Sequence, residues 1–204
     1  RYVLSGVAHF DMELHQMDVK TAFLHGMLDE TIYMDQPEGF VDKKFPQKVC
    51  LLKRSLYGLK QSPRQWNRRF DDFVKIQGYI RSEYDMCVYF KKDARGVYIY
   101  MLLYVDDILI ASTDKTKIEE LKKILNSEFE MKDLGNAKKI LGMEISRNRD
   151  NKELWVSQED YLWKVLSKFD MDQSKPVSTP MGAHFKLKSG TPQQLKEQED
   201  CMKK

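Results

Sequence analysis

The sequence lacks any run of about 18 apolar residues, so no membrane-spanning helix is expected. Its most apolar stretch, Val97 to Ala111, is broken by Asp106 and Asp107. Cysteine is scarce. Cys50, Cys87 and Cys201 are odd in number and far apart, which argues against a disulfide framework and gives no zinc spacing. A reducing, intracellular setting fits that usage. The first residue is Arg1 rather than Met, and no leader pattern follows it. The expectation is a piece of a longer intracellular polypeptide. Repeats and low-complexity segments are also missing.

What remains is ordinary in bulk and uneven in detail. The 204 residues suffice for one sizeable domain, with 42% hydrophobic and 32% charged residues. The net charge of +3 hides segregation. From Asp11 to Asp42 there are eight acidic residues and one basic; from Lys43 to Arg81 there are eleven basic and two acidic. Such blocks are commonly solvated faces. Side by side, they also suit a polyanion-binding surface next to a metal site.

The coarse pattern is mixed. Tyr2 to Phe10 reads as the end of a helix, and Glu13 to Val19 as a strand leading into a helical stretch from Lys20 to Leu28. Thr31 to Met34 and Lys48 to Lys53 read as short strands around a loop with Pro37, Gly39 and Pro46. Ser62-Pro63 opens a helix in which Trp66, Phe70, Phe73 and Val74 recur at helical spacing, with Gly78 as its stop. Met86 to Phe90, Val97 to Tyr104 and Ile108 to Ser112 read as strands, and Thr113 to Glu130 as an amphipathic helix. Lys139 to Arg147 and Leu154 to Val156 form a hairpin around Asn148 to Asn151. Ser157 and Asp160 resemble a capping box for a helix to about Phe169, and 174–204 reads as a weakly structured linker.

The sharpest feature is Tyr104-Val105-Asp106-Asp107 between two apolar strands. Aspartate is common in turns, so an acidic hairpin is the plain alternative. Yet two adjacent like charges between apolar strands repel, and a bound divalent cation would remove that cost. Asp18, at the end of its strand, is the candidate third carboxylate; alone it would be a surface Asp or a helix cap.

Gln16-Met-Asp-Val-Lys-Thr-Ala-Phe-Leu-His-Gly26, Leu56-Tyr-Gly-Leu-Lys-Gln-Ser-Pro-Arg-Gln-Trp66 and Tyr104-Val-Asp-Asp107 resemble motifs A, B and C of reverse transcriptases, in the wording of Ty1/copia-type LTR retrotransposon Pol polyproteins. Lys132-Asp-Leu-Gly135 and Ile140-Leu-Gly-Met-Glu-Ile145 resemble the motif D and primer-grip region. The resemblance runs from about Tyr2 to Met181.

It implies an α+β fold, the polymerase palm, an antiparallel sheet with packed helices and with partial fingers and thumb. Residues 1–173 would be the reverse transcriptase domain, 146–173 its thumb-like part, and 174–204 a link towards an RNase H domain. Asp18 and Asp106 would hold two Mg²⁺ ions, or Mn²⁺, with Asp107 in support. Phe23 would pack under the incoming sugar and reject a ribose 2′-hydroxyl. Tyr57, Gly58 and Lys60 would touch the incoming nucleotide. Arg64, Arg68, Arg69, Tyr104, Leu141, Gly142 and Met143 would contact primer and template, and Lys132 is a candidate general acid. Without the motifs, Phe23 reads equally as core, Gly58 as a turn residue and Lys60 as a surface cation.

The implied partners are an RNA or DNA template with primer, deoxynucleoside triphosphates, and integrase and RNase H domains of a parent polyprotein, in a cytoplasmic particle or the nucleus. Only 17 residues precede Asp18. The fingers cations of such enzymes are not among them, so the chain alone is expected to be inactive in polymerisation. The competing expectation is a non-catalytic nucleic-acid-binding remnant of a decayed or co-opted element. A metal-dependent phosphohydrolase is more remote, because the basic Tyr57–Lys60 loop reads as a nucleotide and template clamp.

Overall fold

The computed structural model describes residues 1–178. It is α+β and antiparallel, with two compact units, Arg1–Glu159 and Asp160–Lys204. Most of the linker expected over 174–204 lies outside the described residues. Among those described, no helix is long and apolar enough to cross a membrane.

The first unit is built on a six-stranded sheet. In chain order its strands are β1 (Glu13–Val19), β4 (Ile80–Arg81), β5 (Val88–Lys92), β6 (Tyr98–Tyr104), β7 (Asp107–Ser112) and β8 (Met131–Asn136). Across the sheet they run β4-β5-β6-β7-β1-β8, each neighbour antiparallel. A small pair, β2 (Tyr33–Met34) with β3 (Cys50–Leu51), lies in the loop region, and β9 (Lys139–Ile140), β10 (Met143–Asn148) and β11 (Glu153–Ser157) make a second, three-stranded sheet.

Period-two alternation assigns each side chain of the sheet to one face. Met17, Val19, Ile99, Met101, Leu103, Ile108 and Ile110 point one way into the larger core. The helices α2 (Ser62–Ile76) and α3 (Lys115–Glu128) cover that face with Trp66, Phe70, Phe73 and Val74 and with Ile118, Leu121 and Leu125. Phe129 ends α3 and binds the aromatics together: its ring stacks on Phe70 at 5.8 Å and meets Trp66 and Phe73 edge-on, each at 5.2 Å. Edge-to-face and offset pairs add to the burial energy of such rings. Most buried polar groups of this face are paired, His15 Nε2 being left without a hydrogen-bond partner. The Tyr89 hydroxyl donates to Asp71 at 3.0 Å, and the Lys122 ammonium reaches Asp133 at 2.9 Å, Glu119 at 3.2 Å and His15 Nδ1 at 2.8 Å.

The opposite face is covered at one end only. Leu14, Leu109 and Ala111 pack there with Val7 of α1 (Tyr2–His9) and Ile140 of β9, flanked by Met143, Ile145 and Leu154. Arg147 ties this cover down by donating to the carbonyls of Val7 and Met12 and to the Asp11 carboxylate.

Three local expectations are corrected. The stretch from Lys20 to Leu28 is not a helix: Thr21 adopts φ +52, and only one 3₁₀ turn forms, Ala22–His25. Leu141 and Gly142 are not strand residues; both have positive φ (+51 and +76) and make the two-residue turn between β9 and β10. Two positive φ values in a two-residue loop are what a tight hairpin requires, and Gly142 accepts its one without strain. The helix expected after Ser157 forms, but the Ser157 hydroxyl accepts from the Glu159 N–H at 3.1 Å rather than from that of Asp160, as a capping box would require. That begins α4 (Glu159–Lys168), whose residues from Asp160 onward belong to the second unit; past its end the Met171 N–H donates to the Leu166 carbonyl at 2.8 Å.

Candidate active site

The register of β1, β6, β7 and β8 writes one row of side chains across the partly open face. Tyr104 pairs with Asp107, Asp107 with Asp18, and Asp18 with Lys132. Directly opposed residues share a face, so two carboxylates, a phenol and an ammonium group stand side by side at the uncovered end. Two places further along the same face of β1 stands Gln16, 7% exposed. Its Nε2 donates to Asp107 Oδ1 at 3.0 Å.

Asp106 occupies the turn between β6 and β7. Its carbonyl accepts the Val19 N–H at 2.8 Å, which fixes the turn to the end of β1. The other turn residue, Val105, has φ +56. A β-branched residue in that region is strained on the order of 1–3 kcal/mol. The strain is held by a hydrogen bond of 2.6 Å from the Trp66 indole N–H to the Val105 carbonyl.

The electrostatics agree with crowded carboxylates. Burial raises the Asp107 carboxyl above its ordinary value, the Gln16 hydrogen bond opposes that, and the neighbouring charges of Asp106 and Asp18 raise it further. Among the described residues no lysine or arginine forms an ion pair with any of the three. Their oxygens are hard donors of the type that magnesium takes. No group of three or more His, Cys, Asp or Glu that could hold a metal ion forms among the described residues. The arrangement is thus a facing pair, Asp18 and Asp107, with Asp106 beside it in the turn. A cation there would need further oxygens from a substrate, which suits a metal that keeps several ligands outside the protein.

The other expected residues fall into groups. Phe23 and Tyr57 meet, with ring centroids 4.6 Å apart. Gly58 has φ +96 in the same loop. Lys60 and Arg64 line a cavity of about 350 Å³ with Asp29, Glu30 and Gln61, and neither has an ion-pair partner among the described residues. Arg68 lies 3.8 Å from Asp29. Arg69 pairs with Glu128 and lies over the Phe129 ring, which joins it to the end of α3. Leu141 and Gly142 line a cavity of about 390 Å³ together with Gln16, Asp107 and Lys138; Met143 packs beside it in the smaller core.

Two groups beside the candidate site are not apparent from the sequence. Gln16 could have been found, because it shares the face of Asp18 by period two. Trp66 reads only as the first apolar residue of a helix, and nothing in its spacing reports a bond to a turn 39 residues on. Gly26 shows how the two regions approach: a Cβ there would lie 3.0 Å from Gln65 Cβ and 3.2 Å from the Trp66 nitrogen. Only glycine lets the segment after β1 lie so close to the start of α2.

A family model described as reverse transcriptase (RNA-dependent DNA polymerase) matches residues 1–183. The chain is 54% identical over 187 residues to the retrovirus-related Pol polyprotein from transposon TNT 1-94 of Nicotiana tabacum, a match over 92% of this chain and 14% of that protein. It is 37% identical over 193 residues to the Pol polyprotein from transposon RE1 of Arabidopsis thaliana, over 94% of this chain and 13% of the relative. A putative transposon Ty5-1 protein of Saccharomyces cerevisiae is 38% identical over 165 residues, covering 81% of this chain and 53% of its own length. The chain therefore spans about one seventh of the plant polyproteins and about half of the yeast protein.

Proposed function

We propose, from the premise that this chain belongs to the reverse transcriptase (RNA-dependent DNA polymerase) family in its Ty1/copia branch, that its sheet is the polymerase palm and that the row at its open end serves templated DNA synthesis. The observation that carries this reading is the pairing of Asp18 with Asp107 across β1 and β7, with Asp106 in the adjoining turn.

Asp18 and Asp106 would hold divalent cations, magnesium or manganese, which when bound lower the pKa of a primer 3′-hydroxyl and neutralise the triphosphate. Asp107, oriented by Gln16, adds negative charge to that site. Lys132 places a cation in the same row. Phe23, braced by Tyr57, bounds the sugar of the incoming nucleotide and excludes a 2′-hydroxyl by overlap. Lys60 and Arg64 offer cations for phosphates. The Leu141–Gly142 turn borders Asp107 and would meet the primer end. Residues 1–173 would make up this domain, and 174–204 would lead on towards an RNase H domain.

Calorimetric titration with Mn²⁺ tests the reading. Asp106→Asn should weaken binding by at least about tenfold, since even outer partners of a metal site are worth 10–100-fold. Equal affinity in wild type and variant would remove the carboxylates from the function. Primer–template binding should also fall steeply as salt rises, because phosphate contacts release counterions.

A further inference from the structure

Trp66 fills the core, and its polar atom is directed at the aspartate turn. The side chain is 1% exposed, and its one donor is committed to the Val105 carbonyl. Its ring is fixed on several sides: Phe129 lies edge-on at 5.2 Å, Phe70 at 5.5 Å and His25 at 5.8 Å. Val105, the acceptor, is a β-branched residue at φ +56. Such a conformation persists only where the surroundings over-determine it. The peptide that follows is held from the other side, because the Asp106 carbonyl accepts the Val19 N–H at 2.8 Å. The turn is therefore clamped between α2 and the end of β1, with one bond to the Val105–Asp106 peptide and one to the Asp106–Asp107 peptide.

We propose that Trp66 is a positioning residue for the carboxylates. Its indole N–H holds the Val105 carbonyl, and with it the left-handed turn from which Asp106 and Asp107 emerge beside Asp18. The inference rests on reading those carboxylates as cation ligands. If Trp66 were core filling alone, its ring would matter and its N–H would not. The clamp makes the opposite demand: remove the donor, and Val105 relaxes towards ordinary β-branched geometry and carries the aspartates with it. A residue at 105 that accepts positive φ without strain should then make the clamp dispensable.

The test uses the 204-residue chain as wild type, Trp66→Phe, Val105→Gly and the double variant. In the wild type, a scalar coupling across the hydrogen bond from the Trp66 indole nitrogen to the Val105 carbonyl carbon should be detectable by NMR, and it needs no variant to fold. In folded Trp66→Phe, the backbone shifts of residue 105 should leave the positive-φ range, and affinity for Mn²⁺ alone should fall on the order of tenfold. In the double variant, Mn²⁺ affinity should return to near the wild-type value. A missing coupling overturns the proposal. So does a Trp66→Phe protein that folds with residue 105 and Mn²⁺ affinity unchanged, and so does a loss that Val105→Gly fails to restore, which would mark a packing defect. If the wild type binds no Mn²⁺, the reading of the carboxylates falls, while the coupling and the backbone shifts of residue 105 still decide whether the clamp exists.

Discussion

The two faces of the six-stranded sheet are made of the same strands and do opposite things. On the helix-covered face, Met17, Met101, Ile108 and Ile110 are fully buried against α2 and α3. Charged groups there are paired, Lys122 with Asp133 and Asp71 with Lys75 and Arg81. On the other face, apolar cover stops partway along the strands, and the last positions are Asp18, Asp107, Tyr104 and Lys132. One face lowers the free energy of the fold. The other carries like charges that the fold tolerates, as expected where local rules are broken for function. Alternation along β1 shows the division at the smallest scale: His15 enters the paired cluster, Gln16 braces a carboxylate, Met17 is core and Asp18 is a candidate ligand.

The largest effect is expected on the covered face. Phe70 is fully buried between Trp66, Tyr89 and Phe129. Phe70→Ala should cost about 3–5 kcal/mol in urea unfolding at neutral pH. A loss below about 1 kcal/mol would mean that the aromatic cluster is not the mainstay of the domain.

On the open face the same measurement should move the other way. Asp107→Asn removes a partly buried charge beside two others, so the urea midpoint should hold or rise, while Mn²⁺ affinity falls at least about tenfold. A variant that loses stability and keeps the metal would reverse the division of labour drawn here.

A smaller effect sharpens the contrast by pH. Burial, and then the charge of Lys122, hold the His15 imidazole below its ordinary 6.5. The unfolded chain therefore binds that proton more readily, and stability falls as pH drops below about 6.5. In His15→Gln the melting temperature should decline less between pH 7.5 and 5 than in the wild type. Parallel curves would show that His15 takes no part.

The smallest effect expected is at a helix end. Asp114 accepts the Thr116 N–H at 2.9 Å as the N-cap of α3. That bond, with Arg95, lowers its carboxyl to about 2. Asp114→Ala should lower the urea midpoint modestly at pH 7. The difference should shrink as pH falls from about 3.8 towards 2, where the wild-type carboxylate takes up its proton.

These contrasts also show what a sequence can carry. The spacing of Trp66, Phe70, Phe73 and Val74 gave α2 correctly, because a helix face is a local property. Strands β6 and β7 were visible as apolar runs on either side of Asp106 and Asp107. Strand β8 was not: Met131 to Asn136 has no alternation and only one face to satisfy, and it exists because β1 offers it an edge, with a register shift at Gln16 and Met17. Thr21 and Leu141 take positive φ, Leu141 because the two-residue turn requires it, and side-chain propensity reports neither. Of the candidate site, the residues were legible and their partners were not. Asp18, Asp106 and Asp107 stand out by type and spacing, whereas the Gln16 and Trp66 hydrogen bonds and the pairing of Arg69 with Glu128 need the third dimension.

The hydrogen bond between Gln16 and Asp107 joins residues 91 positions apart in the chain. Hairpin β6–β7 closes over two residues, and such hairpins form on the order of microseconds. Docking of β1 beside it needs a loop of some ninety residues to close, and non-local pairing of that kind is slow. The hairpin that carries the aspartates can thus close before their facing partner docks, while the turn takes its final form only with β1 and α2 in place. If the Gln16 side-chain bond closes only once β1 has docked, after the rate-limiting step, it slows unfolding and leaves the folding rate alone. In stopped-flow measurements Gln16→Ala should therefore accelerate unfolding with little change in refolding, so that the lifetime of the assembled site, rather than the speed of its making, is what this one bond governs.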